Sequence, residues 1–139
     1  MNPFYLLIQL TWGLPLNVVG AIVYLFFVKL FKFETRQFRN MLCVIVPWNF
    51  GGLNLGMFAI LSDVNRQLAM HEYGHSIQNL YWGWLTPFVI TLPSSIRYWY
   101  REYKTYKGIP LKTGYSDIWF ESQADRIGAK AESNTWRWL

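Results

Sequence analysis

At 139 residues and 16.5 kDa the chain has room for a single domain. Hydrophobic residues make up 53% and aromatics 19%, with only 15% charged. That is far below the roughly 25% charge of a soluble globular domain, which excludes a disordered chain and argues against a freely soluble one. The net charge of +5 suits nucleic acid or an anionic membrane surface, and the apolar excess favours the membrane. One cysteine, Cys43, excludes a disulfide framework and a thiolate-cluster metal site.

Residues 1–28 carry no charged side chain, and the first is Lys29. A hydrocarbon core of about 30 Å takes about 20 helical residues to cross. Pro15 would break a hydrogen bond in mid-helix, so a helix start is expected there, with 16–33 spanning and 2–12 near the interface. A signal peptide would bring a basic start and a small-residue cleavage site, and neither is seen. A retained anchor over 1–33 is therefore expected. Lys29, Lys32, Arg36 and Arg39 close the segment, with Glu34 as the one acid among them. By the positive-inside rule the N-terminus then faces outward, the chain continues in the cytoplasm, and the cell's inner membrane is the expected location.

Residues 41–61 read as a small β-hairpin of two strands, MLCVIV and GLNLGMFAIL, around turn residues at 47–51. Gly52 and Gly56 mark places where another backbone comes close. Ser62 or Asp63 is the expected cap of a helix over 64–78. An apolar segment follows over 80–96, interrupted by Pro87 and ending at Pro93-Ser94-Ser95. It is short for a full crossing, and the basic residues beyond it favour a re-entrant dip with both ends cytoplasmic. A last helix is expected over 115–131, capped by Ser116 or Asp117, and Trp136 and Trp138 suit a tail lying on the bilayer.

The two histidines of the chain flank His71-Glu72-Tyr73-Gly74-His75. Positions i and i+4 share a helix face, so both imidazoles can reach one ion. Glu72, one step round, can take a proton from metal-bound water, which is the logic of the HExxH pattern of zinc peptidases. Gly74 costs about 1 kcal/mol against alanine in a helix, which implies a backbone or substrate held close to it. A catalytic zinc needs a third protein ligand, to be drawn from Glu102, Asp117, Glu121, Asp125 or Glu132. Glu121 and Asp125 share one face of the last helix, so Glu121 suits the metal. Asp125 then accepts the second N–H of a ligating histidine. Ala124 between them would let the two helices approach.

HEYGH followed after an apolar segment by WFESQADRIGA resembles the HtpX-like membrane zinc metallopeptidases, the gluzincin group that includes the CAAX prenyl proteases. The resemblance runs over residues 52–131 and is specific in its two motifs. It implies His71, His75 and Glu121 as zinc ligands, Glu72 as general base and Asp125 behind a histidine. It also implies an edge strand that pairs with the substrate backbone, a role for Gly52, Leu53, Asn54, Leu55 and Gly56. Members of the group are longer and carry a full membrane hairpin between the motifs, where this chain has one short apolar segment. Their oxyanion-stabilising residue has no evident match, and Tyr103, Tyr106 and Tyr115 are the available donors.

The expected fold is thus a mainly α membrane protein with a small β-hairpin, built as a minimal gluzincin core. The expected function is an integral-membrane zinc endopeptidase acting on membrane-associated polypeptides at the cytoplasmic face. Its alternative is a non-catalytic membrane interaction protein that keeps the zinc site for structure or as a relic. A His₂-carboxylate site can also hold iron, but Glu72 beside it favours hydrolysis. Nucleic acid is not expected as a partner, since Arg97-Tyr98-Trp99-Tyr100-Arg101 suits an interfacial aromatic belt and no binding module accompanies it.

Overall fold

The computed structural model describes residues 1–131, so the expected interfacial tail of Trp136 and Trp138 and the candidate Glu132 lie outside the described residues. The Asn2 side chain accepts hydrogen bonds from the Phe4 and Tyr5 amides and opens helix α1, Pro3–Gln9. Helix α2, Leu14–Leu30, follows after a short turn, with Pro15 in its first turn as its missing N–H requires. Its 17 residues make about 26 Å of helix. No single helix among the described residues is long and apolar enough to cross a membrane. The α1–α2 pair carries the composition but is bent by 97°.

The expected two-stranded hairpin over 41–61 is corrected to part of a four-stranded sheet in the order β1-β2-β4-β3. Strands β1, Thr35–Phe38, and β2, Met41–Ile45, pair antiparallel. The stretch GLNLGMFAIL is itself the hairpin, β3 Gly52–Leu55 and β4 Phe58–Leu61, folded at Gly56 with φ +74. Glycine reaches that backbone region without a Cβ clash. Strand β2 runs parallel to β4, so MLCVIV never meets the strand that follows it directly.

Both faces of this sheet are covered. Met41, Cys43, Ala59 and Leu61 pack with Ala69 and Tyr73 of the next helix, whereas Val44, Val46, Leu55 and Ile60 pack with Leu16 of α2. The period-2 alternation of a strand sends neighbours to opposite faces, and burial of both explains the unbroken apolar run in β2. The expected anchor is therefore half core. Its inner side covers the sheet, with Gly20 seated against the Leu55 carbonyl and the Phe58 ring, while Val18, Val19, Ile22, Leu25 and Phe26 face outward.

A buried polar network fastens α1 and α2 to the rest. Asn17 Nδ2 donates to Gln9 Oε1 at 2.6 Å, Asn79 Nδ2 donates to the same oxygen at 2.6 Å, and the Met57 amide donates to Asn17 Oδ1 at 2.6 Å. Gln9 Nε2 reaches the Ser76 carbonyl at 3.0 Å. Asn17→Ala is expected to cost about 2–4 kcal/mol, because it strands several buried partners at once. Denaturant unfolding in detergent checks this, and a loss below about 0.5 kcal/mol would contradict it.

Helix α3, Arg66–Trp82, starts two residues later than expected. Its cap is Asn65, whose Oδ1 accepts from Gln67 and Leu68, while Asp63 turns to the Val64 amide. The helix ends at Gly83, φ +49, whose missing Cβ leaves room for the Trp12 indole. The expected apolar segment over 80–96 is helical throughout: the end of α3, a 3₁₀ turn Gly83–Leu85, a π turn Pro87–Thr91, and helix α4, Leu92–Tyr106. Pro93 does not end the segment, since it stands in the first turn of α4, where no N–H is needed. Helix α5, Trp119–Ala131, begins four residues after the expected start. Ser116 and Asp117 are spent elsewhere, on Asp125 and on the Gly114 amide.

Candidate metal centre

Helices α3 and α5 cross backbone against backbone. A Cβ on Gly74 would meet the Ala124 carbonyl, and one on Gly128 would meet the Met70 carbonyl. This close crossing brings Glu121 of α5 over the face of α3 that carries His71 and His75. His71 Nε2, His75 Nε2 and Glu121 Oε2 form a triangle with all three sides 3.1 Å. Ligands on a tetrahedral metal at about 2.0–2.2 Å stand roughly 3.3 Å apart, so the donor set fits a single divalent ion. Among the described residues these three are the one group of histidine, cysteine or carboxylate side chains so arranged.

The hydrogen bonds behind the triangle fix the imidazole tautomers. Gln78 Nε2 donates to the Phe120 carbonyl at 2.7 Å, which turns its Oε1 toward His75 Nδ1 at 2.7 Å. His71 Nδ1 stands 2.7 Å from Asp125 Oδ1. Both Nδ1 atoms therefore donate, and both Nε2 lone pairs face Glu121. Asp125 is in turn held by the Ser116 hydroxyl at 2.5 Å, and Glu121 Oε1 accepts from Ser94 Oγ of α4 at 2.5 Å. Three lone pairs converging in a buried place repel one another unless a cation or a proton joins them.

The charges follow that logic. Burial works against a charged His71, but its hydrogen bond to Glu121, the charge of Glu72 and its hydrogen bond to Asp125 outweigh it and push the imidazole up to about 9. Burial likewise opposes a charged Glu121, yet both histidines and Ser94 hold its carboxyl far below the ordinary range. Glu72 moves the other way, because burial raises it against the pull of His71 and His75. Two carboxyls of one site are thus driven apart, which suits one for ligation and the other for proton transfer.

A small cavity of about 40 Å³ borders His71, Glu72 and His75 and is closed by Gly52, Leu53, Asn54, Ile90, Ser94 and Tyr115. Strand β3 stands at the edge of the sheet, with Gly52 so near Glu72 that a Cβ would meet its carboxylate. Of the five expected substrate-strand residues, Gly52, Leu53 and Asn54 border the cavity. Leu55 is instead buried under α2, and Gly56 forms the turn below Asn17.

The chain matches no family model, no curated protein and no solved structure.

The five expected site residues His71, Glu72, His75, Glu121 and Asp125 stand together. Glu102 and Asp117, the other acids weighed as ligands, lie in an outer groove and on the Gly114 amide. Gln78 and Ser94 escape sequence reasoning. Gln78 follows His75 by three residues on one helix face, a spacing that could have flagged it, but Ser94 has no local signal. Among the tyrosines, Tyr103 and Tyr106 are exposed, whereas Tyr115 borders the cavity with its hydroxyl 3.4 Å from Ser94 Oγ. Burial pushes the Tyr115 phenol up to about 12, so it stays a donor at neutral pH.

A bound metal must displace the His71 proton. Zinc affinity is expected to fall about tenfold per unit as the pH drops from about 9 toward 7, measured by competition with a chromophoric chelator. A flat profile would contradict the arrangement. Without metal the sign reverses for folding: His71 sits above its ordinary 6.5, so its charge stabilises the fold below that pH and the contribution is lost as the pH rises through about 9.

Proposed function

We propose that this chain is a membrane-associated zinc peptidase that hydrolyses peptide bonds in membrane-bound polypeptides, of the HtpX-like and CAAX-prenyl-protease kind. The observation that carries the reading is the triangle of His71, His75 and Glu121 beside the buried carboxyl of Glu72. Zinc held by those three residues would polarise the scissile carbonyl and bring water toward ionisation at neutral pH. Glu72 takes the proton of the attacking water and delivers one to the leaving amine. The free edge of β3 offers its backbone N–H and C=O groups to an extended substrate, and Tyr115, at the cavity wall, is a donor available to the reacting carbonyl.

The catalytic reading is favoured over a structural zinc site by the donor count. A structural zinc is closed by four protein ligands. Among the described residues three converge, and the two histidines border a cavity where water can stand. Membrane attachment is supported by the outward apolar faces of α1 and α2, where Phe4, Leu7, Val18, Ile22 and Phe26 are exposed. Lys29 and Lys32 at the end of α2 support a cytoplasmic side for that end and for the site, with the N-terminus toward the outside. The test is hydrolysis of a membrane-anchored reporter polypeptide by the reconstituted protein. Activity that appears with zinc and disappears on chelation is expected, and hydrolysis insensitive to chelation would overturn the reading.

A further inference from the structure

The two charge-free segments of the chain meet at one end. The Trp12 indole donates to the Tyr81 carbonyl, and the Gly83–Leu85 turn packs on α2. From that junction α2 leads to Lys29 and Lys32, and the helical stretch from Trp84 leads to Lys104 and Lys107, so each apolar run ends in basic residues.

The outward face of the second stretch is graded. Phe88, Leu92 and Ile96 are exposed, at 71%, 55% and 60%, then Trp99, Tyr100, Tyr103 and Tyr106. The lysines close the series, with Lys104 over the Tyr100 ring at 4.6 Å and Lys107 over the Tyr106 ring at 5.7 Å. Purely apolar side chains, then tryptophan and tyrosine, then lysine is the order met on passing from hydrocarbon to headgroups. The opposite face of the same stretch serves the metal centre. Ile90 borders its cavity, Ser94 binds Glu121, and Arg97 and Arg101 hold the carbonyls of Gly114 and Thr113.

We infer that this graded face is embedded in lipid, and that the metal centre lies inside the bilayer, just below its cytoplasmic surface. Ser94 stands five residues, about 8 Å of helix, on the hydrocarbon side of Trp99. The inference rests on the peptidase reading only for what it says of the substrate.

Two grooves fit that depth. One of about 560 Å³, lined by Asn65, Arg101, Glu102 and Thr105, reaches His71 and Glu72 from the polar end and admits water. Another of about 230 Å³ opens between β3 and α4 past Phe50, Leu53, Tyr98 and Trp99. Its walls are more apolar than polar, with Ser94, Ser95 and Tyr115 among them, and the exposed Trp99 of the graded face stands at its rim. An extended polypeptide lying in both would have one end in lipid and the other in water. The substrate class is therefore the cytoplasmic end of a transmembrane segment, cut within the span rather than in a distant loop.

The test is nitroxide depth measurement on the full chain in vesicles of phosphatidylcholine and phosphatidylglycerol. Single cysteines replace Phe88, Leu92, Trp99, Tyr103 and Lys107 in a Cys43→Ala background, and each variant is checked for native helix content. Collisions with oxygen should dominate at 88 and 92, collisions with a water-soluble nickel chelate at 107, and the crossover should fall between 99 and 103. Nickel dominance at every position, or a crossover on the Phe88 side of Ser94, would overturn the inference. The measurement needs neither metal nor substrate, so a chain that fails to bind zinc but keeps this profile overturns the peptidase reading alone. With a hydrolytically active protein, single-span reporters carrying the same cleavable sequence at stepped positions should be cut inside the span end. Cleavage confined to sequences well outside the membrane would overturn the substrate class.

Discussion

Glu72→Gln is expected to lower zinc-dependent peptide hydrolysis by about a hundredfold to ten-thousandfold, the range that positioned acid–base groups supply, while zinc stays bound. Glutamine keeps the shape of the buried side chain and cannot take a proton. Glu72 is not in the metal triangle, so ligation does not depend on it. Burial raises its carboxyl above the ordinary carboxylate value, and a bound cation would pull it back down. Parallel measurement of turnover and zinc content separates the outcomes. Full activity would remove Glu72 from the mechanism, and loss of zinc would show that it has a role in holding the metal.

Gly74→Ala is the second large effect. Alanine in place of glycine favours a helix by about 1 kcal/mol, so on propensity alone the change should stabilise α3. The added Cβ, however, falls on the Ala124 carbonyl, and a backbone cannot step aside as a side-chain tip can. Overpacking of this kind costs about 1–3 kcal/mol. Its functional consequence is larger, because α5 must shift and carry Glu121 away from two imidazoles 3.1 Å distant. Zinc affinity is expected to fall at least as far as the roughly 10–100-fold lost when a ligand's orienting partner is removed. A variant of unchanged melting temperature and unchanged zinc affinity would contradict the close crossing.

Much of the site was legible because its signals are local. The i, i+4 spacing of His71 and His75, the same spacing of Glu121 and Asp125, and the helix-disfavoured Gly74 each report on one helix face. Even the approach of α5 was written in Gly74 and Ala124. The sheet was less legible, because a parallel β2–β4 pair depends on a crossover that no local pattern encodes. Gly56 looked like a strand glycine and is a hairpin turn, since the turn depends on a contact with Asn17, which lies far away in sequence. The polar network of Gln9, Asn17 and Asn79 was invisible for the same reason. Each residue alone reads as an ordinary polar side chain, and only the packing of α1, α2 and α3 shows that they satisfy one another. The stretch over 80–96 was misjudged at Pro93 because proline stops a helix interior but is at home in a first turn.

The most direct test of the metal centre is zinc content per chain, measured in wild type and Glu121→Ala purified in detergent and equilibrated with zinc. About one zinc per wild-type chain, lost on removal of the third ligand, is the result the three-ligand site predicts. A wild type that holds no zinc, or a Glu121→Ala variant that holds it as firmly as wild type, would contradict it.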